Sequence, residues 1–249
     1  MGEQFELPLG VIRDGEVHKD VVLTPMTAKI RRLLTTKESQ KNPSVGISKL
    51  ILSCCESIGG LTPSIQLISG LTTGDRDFIL LRLRMISLGD DVTAQMTCPR
   101  CSDELTFDFN LPKIEIMRLT KDKDFEIEDN VPIVTLTNDD LGLVVRMRLP
   151  TGYDQEAISK QVTKDPVGAG YRLYTRLIQT WTKSGQDEIN PNSIDFIDNL
   201  PLPEIDWLEM ASRKAMPGPN WLVHMTCDVC SKSTLLDLSD SDFLFKTPR

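Results

Sequence analysis

The chain has 249 residues, of which 40% are hydrophobic, so it is long enough for one large domain or two modest ones with a buried core. Its formal net charge of −8 repels phosphate backbones and anionic lipid, which argues against a nucleic-acid-binding protein. The sequence contains no apolar run of membrane-spanning length and no secretory signal pattern. We therefore expect a soluble protein of a reducing compartment, where six cysteines are better explained by metal binding or packing than by disulfides.

Residues 1–90 are predicted to form an N-terminal region of extended arms followed by helices. The first 23 residues have the pattern of two extended segments around a turn. A helix is expected to begin at Thr24, because Pro25 then occupies the first helical position. This helix should break at Pro43.

The next two predicted helices differ in how much of their surface is apolar. The first has a single apolar stripe that should end at a glycine pair, and the stripe consists of Ile47, Leu50, Ile51, Cys54, Cys55 and Ile58. The second lies within residues 71–90 and is apolar around most of its circumference, which predicts a buried helix. Arg82 and Arg84 on this helix need partners, and Asp75 or Asp77 could pair with them. Both carboxylates are otherwise expected to cap or flank the helix in solvent.

The rest of the chain divides into a β-rich region at 91–150, a helical region at 151–216, and a second strand-rich unit with an acidic-apolar tail at 217–249. The strand candidates of the β-rich region are residues 92–97, 104–109, 113–118, 131–137 and 143–149. The last two of these flank the stretch TNDDLG and predict a hairpin. The helix candidates are residues 153–163, 168–182, 193–199 and 204–215. The expected fold class is α+β, with helical segments around a small antiparallel β platform.

A seven-residue frame occurs twice, as MTCPRCS and as MTCDVCS. Each copy places a Cys-x-x-Cys turn between two strand-like runs, as in a zinc ribbon, and two such turns supply the four thiolates of a closed tetrahedral Zn²⁺ site. The predicted ligands of one structural zinc ion are Cys98, Cys101, Cys227 and Cys230. The two turns are 125 residues apart (227 − 101 − 1), so the ribbon is split by a large insertion.

Three other interpretations of the four cysteines remain open at this point. They are reduced cysteines of a metal-free ribbon, a redox pair, and a catalytic zinc site. A redox pair of the thioredoxin type needs a helix after the cysteines, whereas strand-like residues follow both turns. A catalytic zinc needs a vacant position, which four cysteines do not leave. Zinc knuckles often have glycine after the second cysteine, so Ser102 and Ser231 are expected to adopt a left-handed turn at some cost in stability.

No catalytic motif is recognisable in the sequence. It contains neither the frame of a phosphate-binding loop nor a G-x-S-x-G nucleophile elbow, and only two histidines are available for acid–base chemistry. Cys54 and Cys55 are expected to be buried core thiols rather than reactive groups. We therefore expect a protein that is not an enzyme.

Several blocks, in this order, resemble the T4-type bacteriophage baseplate hub assembly proteins. They are DRDFILLRLRMISLGDDV, the first Cys-x-x-Cys, RMRLPTGYDQEAI, the second Cys-x-x-Cys and the acidic-aromatic tail, and together they cover residues 10–245. The blocks are most similar to those of members that act as assembly factors.

The resemblance implies a late phage protein that acts in the cytoplasm of the infected bacterium and is absent from the mature virion. It implies a non-enzymatic chaperone or scaffold whose partners are other baseplate hub proteins. A permanent hub component and a zinc-ribbon nucleic-acid accessory protein are the alternatives. Phe243, Leu244 and Phe245 of the tail are candidates for partner contact, and packing of these side chains against the body of the protein is the alternative.

Overall fold

The computed structural model describes residues 2–238, apart from the side chains of residues 94–96, 107, 236 and 237. The tail residues predicted to contact a partner, Phe243, Leu244 and Phe245, lie outside the described residues. The helices α1 to α9 are Ala28–Arg31, Lys37–Lys41, Pro43–Cys54, Ile65–Gly70, Thr73–Leu88, Gly152–Val162, Pro166–Leu177, Ile194–Asp198 and Leu202–Lys214. The strands β1 to β13 are Glu3–Arg13, Glu16–Leu23, Cys55–Ile58, Asp91–Thr97, Glu104–Asn110, Ile116–Met117, Glu126–Glu128, Val131–Asn138, Leu143–Arg148, Ile178–Lys183, Gly218–Pro219, Leu222–Thr226 and Ser233–Asp237.

The observed fold is a mixture of helices and small antiparallel sheets, as predicted. An N-terminal sheet has the strand order β1-β2-β3, and a second sheet has the order β10-β9-β8-β7. The remaining strands form three two-stranded pairs, β4 with β5, β6 with β11, and β12 with β13. Within residues 2–238, no helix is long and apolar enough to cross a membrane.

The N-terminal sheet begins with the predicted hairpin. Its turn residues Asp14 and Gly15 have φ values of 53° and 76°, the left-handed conformation that a tight hairpin turn requires. The hairpin packs with α3 and α5 to form the first hydrophobic core, in which Leu7, Val21 and Phe78 are at most 1% exposed.

Two predictions for this region are wrong at helix ends. The first helix begins at Ala28 rather than at Thr24, because the side chain of Thr27 accepts a hydrogen bond from the Ile30 N–H and caps it. Helix α3 ends before Cys55, although the apolar stripe continues to Ile58. The residues after α3 instead form β3, which pairs with β2 and completes the sheet, so Cys55 is a half-buried strand residue.

Helix α5 is the buried helix that its apolar circumference predicts. The Thr72 hydroxyl accepts from the Asp75 N–H at its start, and Gly89, with φ 89°, follows its last turn. Asp75, however, is fully buried, and the prediction of a solvated helix end is wrong. Its carboxylate accepts hydrogen bonds from the backbone N–H groups of Leu9 and Gly10, at 2.9 and 3.0 Å. Asp75 therefore joins α5 to the irregular part of β1, where backbone donors would otherwise lack partners.

The second sheet and helices α7 to α9 enclose a separate hydrophobic core. The predicted β8–β9 hairpin is confirmed, with Asn138 paired with Leu143 across the turn. The helix expected at residues 168–182 is confirmed up to Leu177, where α7 ends, and is wrong over its last third, where β10 follows. Strand β10 pairs with β9, which places Trp181 in the core, 3% exposed and edge-on to the ring of Phe196. β-branched and aromatic residues in this segment favour the strand.

The strand expected at residues 113–118 is also mostly wrong. A short 3-10 helix, Leu111–Lys113, occupies its beginning, and only the two residues of β6 are extended in a ladder. Strand β6 pairs with β11, which follows α9. This small ladder connects the β-rich region with the segment that leads to the second Cys-x-x-Cys turn.

A buried polar network joins the two sequence blocks DRDF and RLPTGYDQE. Arg76 of α5 is 1% exposed and donates from Nε to the side-chain oxygen of Gln155, 3.2 Å away. Its Nη1 donates to the Ser48 hydroxyl at 2.9 Å, and Ser48 in turn donates to Glu156 at 2.7 Å. Gly152 lies so close to this guanidinium that a Cβ there would be 2.5 Å from Nη1. The network therefore couples α3, α5 and α6.

Candidate metal centre

The two Cys-x-x-Cys turns lie at the tips of two equivalent hairpins. In the first, β4 and β5 pair with Thr97 opposite Glu104, and in the second, β12 and β13 pair with Thr226 opposite Ser233. A shift of 129 residues (227 − 98) converts the first register into the second. The repeat seen in the sequence is therefore a repeat of hairpin geometry.

Both turns have the same backbone hydrogen bonds. The Cys98 and Cys227 N–H groups donate to the carbonyl oxygens five residues later, at 2.8 and 3.0 Å. The N–H groups of Ser102 and Ser231 donate back to the carbonyl oxygens of these two cysteines, at 2.9 and 2.8 Å. Ser102 and Ser231 have φ values of 63° and 55°, which confirms the predicted left-handed conformation. Each serine carries the conformational cost that a glycine would avoid.

The two tips meet so that the four Sγ atoms form one cluster. The Sγ atoms of Cys98 and Cys230 are 3.9 Å apart, and those of Cys101 and Cys227 are 3.7 Å apart. All four Sγ atoms lie within 4.8 Å of one another, and all four thiols are free of disulfides. A tetrahedral zinc ion with Zn–S bonds of about 2.3 Å separates its sulfurs by about 3.8 Å. The cluster is therefore compatible with a metal ion at its centre.

The surroundings of the cluster lower the pKa of one thiol and raise that of its neighbour. Cys98 and Cys227 are 2% and 1% exposed, whereas Cys101 and Cys230 are half-buried. The backbone N–H groups of Cys101 and Arg100 donate to the Cys98 sulfur and lower its pKa to about 7. A backbone hydrogen bond from Asp103 lowers the pKa of Cys101, but burial and the hydrogen bonds to Cys98 and Cys227 outweigh it and raise this pKa to about 12. The Cys230 N–H approaches the Cys227 sulfur at 3.4 Å in the same way. Deprotonated sulfur is the form that binds a metal ion.

Helix α5 supports the first hairpin at its C-terminal end. Arg84, which is fully buried, donates to the carbonyl oxygens of Gly89 and Asp91, at 2.7 and 3.3 Å. The expected pairing of Arg84 with Asp75 or Asp77 is therefore wrong, because both Nη groups bind the backbone just after the helix, while Nε is buried without a hydrogen-bond partner. The guanidinium of Arg82 instead lies over the ring of Phe78, 4.9 Å from its centroid.

The same helix supports the second hairpin near its N-terminal end. Gly74 lies against the chain just before β11, where a Cβ would be 1.8 Å from the Pro217 carbonyl oxygen. The indole N–H of Trp221 donates to the carboxylate of Asp77. Trp221 directly precedes β12, and its carbonyl oxygen accepts from the Leu238 N–H at 2.9 Å, which closes the base of the hairpin. One helix thus positions both halves of the cysteine cluster.

The other two cysteines lie away from the cluster. Cys54 is fully buried in the first hydrophobic core, and burial raises the pKa of its thiol to about 11. Burial likewise raises the pKa of Cys55 to about 12. Both thiols are neutral at physiological pH, as expected for packing residues.

The fold and the cluster define a mixed helix-and-sheet protein in which two distant hairpins meet at a four-cysteine site. Comparison with known families shows that residues 11–246 match the sequence profile of the T4 bacteriophage base plate protein family. Because the match covers nearly the whole chain, the protein belongs to this family. Searches of curated proteins and of solved structures found no match.

Proposed function

We propose that Cys98, Cys101, Cys227 and Cys230 hold one Zn²⁺ ion with a structural role. Two of the six separations between their Sγ atoms, 3.9 and 3.7 Å, support this proposal, because they match the edge of a ZnS₄ tetrahedron. Four protein ligands leave no open position for a water molecule, which favours a structural site over a catalytic one. The ion would connect two hairpins whose adjacent cysteines are separated by 125 residues (227 − 101 − 1). Closing so long a loop restricts the unfolded chain and stabilises the fold.

We further propose that the protein is a non-enzymatic assembly factor of the baseplate hub. The observation that carries this proposal is the family match over residues 11–246. The fixed position of both hairpins on α5 supports a scaffold role, because a rigid body can hold hub subunits in an orientation that favours their association. The protein would act in the cytoplasm of the infected bacterium, with other hub proteins as partners, and would be absent from the mature virion.

A permanent component of the hub is the second candidate, because membership of a baseplate family supports both roles. Quantitative mass spectrometry of mature particles and of hub intermediates from infected cells distinguishes the two. An assembly factor is present in intermediates and absent from particles. Stoichiometric presence in both would make the protein a structural component, and absence from both would contradict any role in the hub.

The nucleic-acid-binding alternative has less support. The net charge of −8 opposes the attraction to phosphates that such binding depends on. Retention of the purified protein on DNA, decreasing steeply as salt concentration rises, would revive it.

A further inference from the structure

A groove of about 450 Å³ lies between the first sheet, α4, the beginning of β8 and the loop that leads into α6. Its volume falls in the range of about 300–1,000 Å³ that is usual for pockets that bind a ligand. The groove walls include five half-buried apolar side chains, which are Val11, Ile12, Leu67, Val131 and Pro132. A concave surface with this much apolar lining is suited to apolar side chains of a binding partner.

Tyr153 and Gly70 shape the groove. Tyr153 is 47% exposed, although its hydroxyl donates to the Gln66 carbonyl oxygen at 3.2 Å. The ring is therefore held in place while its face remains accessible. Fixed, accessible tyrosines are frequent among the residues that dominate binding energy at protein interfaces. Gly70 leaves the adjacent space open, since a Cβ there would find its nearest heavy atom, Tyr153 Cε2, 3.9 Å away.

The charged residues that line the groove are Arg148, Arg176 and Asp154, which give it a net charge of +1. Arg148 binds Asp154 through both of its Nη atoms, at 2.6 and 2.8 Å. Arg176 donates to the same carboxylate only through Nε, at 3.0 Å, and its side chain is 45% exposed. Within residues 2–238, its two Nη groups make no further bond. In a chain of net charge −8, this groove therefore presents unused cationic donors beside an apolar wall.

We infer that this groove binds an apolar segment of another baseplate protein that carries a carboxylate, with the carboxylate on Arg176. A planar guanidinium offers two parallel donors that match a carboxylate, and the apolar wall accommodates the neighbouring side chains. The inference rests on membership of the baseplate family and holds for an assembly factor and for a permanent component alike. The binding test of this inference therefore does not depend on whether mass spectrometry finds the protein in mature particles or only in hub intermediates.

The test uses the full-length chain and a fluorescently labelled, capped peptide, Ser-Leu-Phe-Asp-Phe-Leu-Ser, with a twin that has Asn in place of Asp. Fluorescence anisotropy should show the Asp peptide binding about tenfold more tightly than its twin, since the Asn side chain lacks the negative charge and has only one acceptor oxygen for the two guanidinium donors. Arg176→Gln should abolish this difference. Arg172→Gln, an exposed arginine on the same helix, should preserve it.

A second variant keeps the test independent of the Asp154 network. Gly70→Val should weaken binding of both peptides at least about tenfold, because its methyl groups enter the groove while the fold accepts the Cβ.

Equal binding of the two peptides, no binding of either, or no effect of either groove variant would overturn the inference. Self-association of the chain that Gly70→Val abolishes would assign the groove to a second copy. The acidic-apolar tail also carries a carboxylate beside apolar residues, at Asp242. Peptide binding that appears only in the Asp242→Asn variant would therefore assign the groove to the chain's own C-terminal segment. Both of the last two results would also overturn the inference.

Discussion

Replacing Asp154 with asparagine should destabilise the protein more than any exposed acidic substitution. The carboxylate is 1% exposed and accepts five hydrogen bonds, from Arg148, Arg176 and Thr151. Asparagine keeps the size of the side chain but removes the charge that both guanidinium groups bind. Breaking a buried ion pair by removing one partner costs about 3–5 kcal/mol. We expect a loss of about 3 kcal/mol, because the amide side chain of the variant would retain some of the hydrogen bonds.

The lowered pKa of Asp154 gives a second, independent value for the free energy that its ionised carboxylate contributes to stability. Burial alone would raise the pKa of Asp154, but the hydrogen bonds and charges of Arg148, the Thr151 N–H and Arg176 outweigh it and lower the pKa to about 2. An unfolded aspartate has a pKa of about 3.9, so the shift corresponds to about 2.5 kcal/mol. Because the folded pKa is the lower one, this stabilisation is complete above about pH 4 and is lost as the pH falls through about 2.

Urea denaturation of the wild type and of Asp154→Asn between pH 7 and pH 2.5 measures the loss of stability in the variant and how that loss depends on pH. The difference in unfolding free energy should be about 3 kcal/mol at pH 7 and should shrink below pH 4. Taking the difference cancels the titration of the other carboxylates and of the cysteines. The exposed Asp195→Asn serves as the control and should cost at most about 0.5 kcal/mol. A difference below about 1 kcal/mol at pH 7, constant with pH, would refute the assignment of Asp154 as a buried ionic anchor.

Three further predictions concern the support of the cysteine cluster. Cys98→Ala should abolish stoichiometric zinc and lower the melting temperature, because it removes one ligand. Cys54→Ala, in the first hydrophobic core, should leave the metal content unchanged. Metal analysis that shows the reverse would mean that the ligands are wrongly assigned. Gly74→Ala should lower the unfolding free energy by more than about 3 kcal/mol, because its Cβ meets a carbonyl oxygen at 1.8 Å, whereas Gly70→Ala should be nearly neutral in the same denaturation experiment. Burial raises the pKa of Asp77 to about 6, above its unfolded value, so its charge costs stability that is recovered as the pH falls from about 6 to 4. Asp77→Asn should therefore stabilise the protein by about 3 kcal/mol at pH 7.5 and have no effect near pH 4, and a destabilised variant at pH 7.5 would contradict this explanation.

The two hairpins of the cysteine site could be predicted from the sequence, because residues close together in the chain specify each of them. A Cys-x-x-Cys turn between strand-like runs specifies its own hairpin, and the repeated frame indicated that Cys98 and Cys227 occupy equivalent positions. The left-handed conformation of Ser102 and Ser231 followed from the same turn chemistry. The zinc ion itself stays a prediction, since the geometry is compatible with a metal without identifying one.

The elements that were missed depend on contacts between distant residues. Strand β10 follows α7 without a break, and its strand conformation is decided by pairing with β9, about 35 residues earlier in the chain. Helix α3 likewise ends where β2 offers a partner strand, although the apolar pattern continues to Ile58. The hydrophobic periodicity of a single segment contains no information about pairing with a distant strand.

The buried polar network was missed for a similar reason. Arg76 and Gln155 are 79 residues apart, and their contact follows from the packing of α5 against α6. A signal was present, because charged residues on a helix that is apolar all round must find buried partners. Sequence reasoning applied that signal to Arg82 and Arg84 and passed over Arg76, which is bonded to several other elements. The prediction for Asp75 failed because the backbone donors of β1 that bind it are not visible in the sequence.

Metal analysis of the full-length protein shows directly whether the four cysteines hold a zinc ion. The protein should be purified without chelators and its metal content measured by mass spectrometry against protein concentration. We expect one zinc ion per chain, which a strong chelator removes together with a fall in melting temperature. A folded protein that contains no metal, and whose melting temperature neither zinc nor the chelator changes, would contradict this expectation.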